Sequence, residues 1–537
     1  MTRLIRRSLS IIILLALLLA ASAVAAPPSL AAEPTDTTVR GIDVDETTIP
    51  QLQRLMNRGR LTSVQLTRFY LDRIKELNPV LNTVIKVSPT AIAEARAADQ
   101  ARRRGNHRPL LGIPIIVKDN INTTGMPTTA GSWALAGSRP TDAFIVQRLR
   151  AAGAIILGKA NLSEWANFRS IPSSSGWSGI GGQNNMAYVL DRNPCGSSSG
   201  SGVVASADLA VAAVGTETDG SIVCPSGANS VVGIKPTVGL LSREGIIPIS
   251  ANQDTAGPMA RNVTDAAVLL GAMTGVDRKD PATAHQRGNA FRNYRQFLDK
   301  NALDGARIGV WRQGTFGIDP EVDAIMEETI EALADAGAVI VDPTNIPIEP
   351  AFEPEFTALL CEFKTDIRTY LREYTAPRYP KNLRDLIRFN ENHPELEGPW
   401  NSAIFELAQD TGGRSDRDCV SARRTANRIA RAAIRDTLRA NDLDAIIAPT
   451  NGPAWVTDPV NGDLGGDFST FIGSSSPSAI AGWANITVPA GYVDGVLPIG
   501  VSFIGRRWDE PRLIGLAYDF EQETQVRVPP EFLPTLP

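Results

Sequence analysis

Two serine clusters set in glycine-rich turns, Ser197-Ser198-Ser199 and Asp219-Gly220-Ser221, stand inside one stretch, residues 194–236, PCGSSSGSGVVASADLAVAAVGTETDGSIVCPSGANSVVGIKP. Between them runs an apolar segment, residues 203–214, that can cross a core and return, so two hydroxyls can be brought side by side. A serine that meets a substrate carbonyl and several backbone N–H groups at once needs bends that glycine adopts cheaply. A Gly/Ser linker uses the same residues, but it does not alternate with uninterrupted apolar runs such as 209–214 and 231–234.

Hydroxyls in this setting point to acyl transfer, which needs a nucleophile, a base and donors for an oxyanion. The usual base, histidine, occurs three times, as His107, His285 and His393, and none stands in a motif beside a serine cluster. There is also no H-E-x-x-H or paired-cysteine spacing, so no metal and no cofactor is expected. A lysine remains. Lys118 closes the apolar run 113–117 and leads into Asp119-Asn120. Such a lysine ordinarily snorkels to water. Held among apolar groups, it becomes a neutral base at a cost of about 4 kcal/mol for a pKa near 7.5.

The segments PCGSSSGS (194–201), GTETDGSI (215–222) and VGIKPT (232–237) resemble the signature of the amidase signature family of serine hydrolases. Within it, TETDGSIVCP and SREGIIPIS (242–250) are most similar to the branch that removes the C-terminal amide of peptides. The resemblance runs from about residue 45 to about residue 520. It implies an α/β fold, the amidase-signature fold, with a central mixed β-sheet covered by α-helices on both faces. It implies Ser221 as nucleophile, Ser197 as a bridging serine after a cis peptide bond, and Lys118 as base. Backbone N–H groups of Thr218, Asp219, Gly220 and Ser221 would then form the oxyanion hole, with Ser198 supporting the loop. Asp219 stands where many members have glycine and Val223 where many have arginine, which disfavours substrates carrying a carboxylate.

Around these residues the chain alternates strand and helix patterns, as an α/β protein does. Ser63 is expected to cap a helix ended by Asn78-Pro79, and Ser88-Pro89 to start the next. Strands are expected at 112–117, 154–157, 308–311, 339–341, 486–491 and 500–505, with a last helix over 511–523. Residues 350–442 read as mostly helical, and Arg424, Arg428, Arg431, Arg435 and Arg439 form a basic stripe expected to face water. Residues 451–476 read as a long polar loop near the site.

The 537 residues carry a net charge of −5, which gives no reason to expect nucleic acid; a small-molecule or peptide amide is the expected partner. Arg3, Arg6 and Arg7 precede an apolar block, residues 11–21, and small residues, the pattern of a secretory signal peptide cut after Ala25 or Ala31. The expected organisation is a signal and cleavage region over 1–31, a flexible mature N-terminus over 32–42 and a single domain over 43–537. The protein would be exported, with no stable membrane anchor after cleavage. For Cys195, Cys224, Cys361 and Cys419, disulfides and buried thiols both fit; a Cys195–Cys224 bridge and two small thiols are equally readable. Two alternatives stand beside a peptide amidase: a broad amidase of small aliphatic or aryl amides, and a silent amide-binding protein.

Overall fold

Strands buried at every position, Pro114–Lys118, Ile155–Ala160, Ala212–Glu217, Thr255–Ala260 and Leu497–Ile504, form the heart of the protein. Successive side chains of a strand point to opposite faces, so full burial means cover on both faces. The computed structural model describes residues 36–465 and 472–536. The signal-peptide reading falls on residues 1–31, outside the described residues.

Among the described residues, eleven strands make one mixed sheet in the spatial order Val339–Val341, Arg307–Val310, Ala445–Pro449, Leu497–Ile504, Asn485–Val493, Val232–Lys235, Thr255–Ala260, Ala212–Glu217, Pro114–Lys118, Ile155–Ala160 and Val84–Val87. The architecture is α/β, as the resemblance implied. Two registers matter for the site. Pro114–Lys118 pairs in parallel with Ala212–Glu217, Val117 opposite Val214, which carries Lys118 to the strand end beside Thr216. Thr255 pairs antiparallel with Glu217, which carries Asp254 to Thr218.

Residues 32–42 are not all a free tail: Thr38–Val39 pairs with Ile42–Asp43, with Val39 and Ile42 buried. The first long helix, Ser63–Leu81, is capped by Thr62, whose side chain accepts from Gln65 N, while Ser63 is buried and donates to the Gly112 carbonyl. It runs through Pro79 to Asn82 because Leu81 is fully buried there and Asn78 Oδ1 accepts from Thr83 N and Val84 N. The following helix starts at Ala91 rather than at Ser88-Pro89.

The middle region is helical, with Phe352–Tyr374, Leu383–Asn392, Ala403–Asp410 and Arg417–Ala440. It packs Leu359, Phe363, Ile367 and Phe405 against Trp165, Phe168 and Ile249 beside the serine turns. Cys361–Cys419 joins the first and last of these helices, and Cys195–Cys224 joins the two serine turns. Arg424, Arg428, Arg431 and Arg439 are exposed and Arg435 half-buried. Arg423, next to that stripe, is buried against Glu362. Among the described residues no helix is long and apolar enough to cross a membrane, and no group of side chains fits a metal ion.

Candidate active site

Lys118 is fully buried, and its Nζ donates to Ser197 Oγ at 2.8 Å, to Thr216 Oγ1 at 3.0 Å and to Thr216 O at 3.2 Å. Burial pulls its pKa from 10.5 down to about 7, against the opposing charges of Glu217 and Asp254. A neutral amine has two N–H bonds, which Thr216 can take, and one lone pair, which then faces the Ser197 hydroxyl. Asn120 Nδ2 also donates to Thr216 Oγ1, at 2.9 Å, and holds that hydroxyl in place.

Ser197 follows a cis peptide bond from Gly196. A Cβ on Gly196 would lie 2.2 Å from Ser163 Oγ, so only glycine fits this close approach. Ser198 does structural work: its hydroxyl donates to Thr216 O at 2.9 Å and accepts from Thr216 N at 3.2 Å, and its own N–H donates to Ser221 O at 3.2 Å. These three bonds tie the first serine turn to the second and to the strand that delivers it.

The second turn is closed by Glu217, whose Oε2 accepts from Ile222 N at 2.8 Å and Val223 N at 3.0 Å. Gly220 takes φ +74°, a left-handed bend that favours glycine. Among the described residues, no protein acceptor takes the N–H groups of Thr218, Asp219, Gly220 or Ser221, and these four residues line a cavity of about 370 Å³. Ser221 is 8% exposed and lines that cavity, while Lys118 and Ser197 are fully buried and do not line it. Four N–H groups without a protein acceptor among the described residues, on residues that line the cavity with Ser221, are available to a carbonyl oxygen becoming an oxyanion.

The cavity wall is apolar at Phe168, Val223, Ile249, Leu359 and Trp455 and carries two carboxylates, Asp219 and Asp463, with no lysine, arginine or histidine among the described residues. Ser475 Oγ donates to Asp219, and burial raises the pKa of both carboxyls. Asp463 also accepts from Ser175 N and Trp455 Nε1. Trp455, Asp463, Gly473, Ser475 and Ser476, described residues of the 451–476 stretch, line the cavity. The side chain of Thr218 donates to Asp254 at 2.7 Å, and burial holds that carboxyl up at about 7. The sequence reading missed Thr216, Asp254 and Asp463. Each acts through a strand or loop partner whose register cannot be read from its own neighbours.

The amidase family profile matches residues 65–514. The native peptide amidase of Stenotrophomonas maltophilia superposes with a TM-score of 0.86 at 47% identity, over 91% of this chain and 99% of that one. A probable amidase of Arabidopsis thaliana is 40% identical over 91% of this chain and 92% of its own length. A glutamyl-tRNA(Gln) amidotransferase subunit from Symbiobacterium thermophilum is 34% identical over 88% of this chain and 96% of its own length.

Proposed function

The chain belongs to the amidase family and hydrolyses amide C–N bonds; from that premise we propose that it is exported and converts the C-terminal carboxamide of peptides to carboxylate and ammonia, with Ser221 as nucleophile, Ser197 as proton bridge and Lys118 as base. The observation that carries this chemistry is the 2.8 Å contact between a buried lysine of lowered pKa and Ser197, whose chain neighbour Ser198 donates its N–H to Ser221 O at 3.2 Å. Neutral Lys118 takes a proton from Ser197 as Ser197 takes one from Ser221, and Ser221 Oγ bonds to the amide carbon. The N–H groups of residues 218–221 receive the oxyanion. Breakdown of the intermediate breaks the C–N bond, and the proton returns through Ser197 to the leaving nitrogen, which departs as ammonia. Water then attacks the acyl-Ser221 ester, its proton following the same relay, and frees the carboxylic acid.

Likeness to a peptide amidase over nearly all of that chain supports the substrate class, as does a cavity wall that, among the described residues, offers a substrate carboxylate no cation. The basic, apolar and small-residue order of residues 1–31 supports export. A peptide amide incubated with the enzyme should gain about one dalton by mass spectrometry as NH2 becomes OH, with internal peptide bonds intact. Internal fragments, or equal rates on acetamide and a dipeptide amide, would refute the substrate class.

A further inference from the structure

The peptide group shared by Thr218 and Asp219 begins the second serine turn, and its carbonyl is occupied: Gln253 Nε2 donates to Thr218 O at 3.0 Å. A trans peptide is planar, with C=O and N–H pointing in opposite directions. Holding the Thr218 carbonyl toward Gln253 therefore holds the Asp219 N–H away from Gln253. Gln253 is fully buried and lies outside the cavity wall, whereas Asp219 lies in it.

Gln253 is itself clamped. Its Oε1 accepts from Arg423 Nη1 at 2.6 Å, and its Nε2 also donates to Glu355 Oε1. Arg423 is buried and doubly bonded to Glu362, from Nε at 2.9 Å and Nη2 at 2.8 Å. Glu362 also binds Ser250 Oγ and, at 2.8 Å, Asn252 Nδ2, so the residues just before Gln253 hang on the same carboxylate. Glu355 and Glu362 belong to the helix Phe352–Tyr374 and Arg423 to the helix Arg417–Ala440, the two joined by Cys361–Cys419. Cys361 adjoins Glu362, and Cys419 lies one helical turn before Arg423. A chain of buried polar contacts thus runs from the stapled helices to a single peptide of the serine turn. An arginine with a planar fork, bonded on both sides, fixes the amide of Gln253 in one orientation.

We propose that Gln253 is a positioning residue for amide hydrolysis, orienting the Asp219 N–H toward the oxyanion, and that the Glu362–Arg423 pair of the helical region sets the orientation of Gln253. This rests on the oxyanion-hole reading given above. A donor matters to the rate through its aim at the charge that develops in the transition state, so its loss lowers kcat and leaves ground-state binding nearly unchanged.

The test substitutes Gln253→Glu, which keeps an acceptor for Arg423 and replaces the donor to Thr218 O by an oxygen. The full enzyme is assayed for ammonia release, and two inhibitors are compared: a peptide aldehyde, which forms a tetrahedral adduct with a serine, and the matching peptide N-methylamide, which resembles the ground state. The expected result is a kcat lower by about thirtyfold with KM within about threefold. Aldehyde affinity should fall in parallel while N-methylamide affinity holds. Glu362→Gln should move the same quantities in the same direction by a smaller factor. If Gln253→Glu does not fold by circular dichroism, Gln253→Met is read in its place. A wild-type enzyme that prefers the aldehyde, together with a Gln253 variant that keeps both that preference and kcat, overturns the inference alone. A wild-type enzyme with no preference for the aldehyde overturns the oxyanion-hole reading, and this inference with it.

Discussion

Lys118 is the group whose ionisation should govern the rate, and the direction follows from its burial. A base must be neutral, and a pKa of about 7 leaves about a tenth of the enzyme competent at pH 6, about half at pH 7 and about nine-tenths at pH 8. With an N-acetylated peptide amide that does not titrate, kcat/KM measured by ammonia release should climb with unit slope below pH 7 and level off above about pH 8. Asp254 also ionises near 7, so the limb needs an assignment. The negative charge of Asp254 raises the Lys118 pKa, so Asp254→Asn should move the limb to lower pH. The same burial has a stability cost. The folded pKa lies below the unfolded value of 10.5, so the unfolded state binds more protons between about pH 7 and 10.5, and stability rises with pH across that window. At pH 7 the penalty is about 4 kcal/mol at 1.36 kcal/mol per pH unit. Lys118→Met removes it and leaves the Ser197 hydroxyl without that partner, a loss of about 1–2 kcal/mol. The inactive variant should therefore be more stable than the wild type by about 2 kcal/mol at pH 7 in a denaturant melt, the gain shrinking as pH rises toward 10.5. A flat rate profile from pH 6 to 9, an inflection near 10, or a limb that vanishes in Asp254→Asn would refute the assignment of the base to Lys118.

Ser221→Ala should lower turnover by about 10⁶-fold with an unchanged circular dichroism spectrum; retained turnover would move the nucleophile elsewhere. Ser197→Ala should cost about 10²- to 10⁴-fold, the range of a lost proton relay, since water can partly replace a hydroxyl; a loss under tenfold would contradict the bridge. The Cys195–Cys224 bond closes a loop with a sequence separation of 29, so the double serine variant should lose about 3.5 kcal/mol by loop-closure entropy, read as a lower denaturant midpoint. An unchanged midpoint would show that the turns are held by their hydrogen bonds alone.

Much of the site is local in origin and was readable. An apolar run ending in Lys118, glycines flanking Ser197 and Ser221, and apolar segments between them are statements about burial and backbone freedom, which residue types carry by themselves. The α/β alternation was legible for the same reason, since a period of two or of 3.6 is a property of neighbours. Boundaries were less so: Thr62 rather than Ser63 caps its helix because Ser63 found a partner in Gly112, 49 positions away.

What pairs with what was decided by the tertiary structure. Lys118 and Ser197 stand 79 positions apart, and the parallel register of Val117 with Val214 brings Thr216 to the lysine and sets the second turn beside the first. Both disulfide partnerships, the burial of Arg423 beside an exposed stripe, and the reach of Gln253 to Thr218 depend on how separate segments cross. Residue type states that a group will be buried or bent. Only the closed fold supplies the surroundings that lower the pKa of Lys118 and the side chain that bonds the Thr218 carbonyl, because the energies of both depend on atoms brought from elsewhere in the chain.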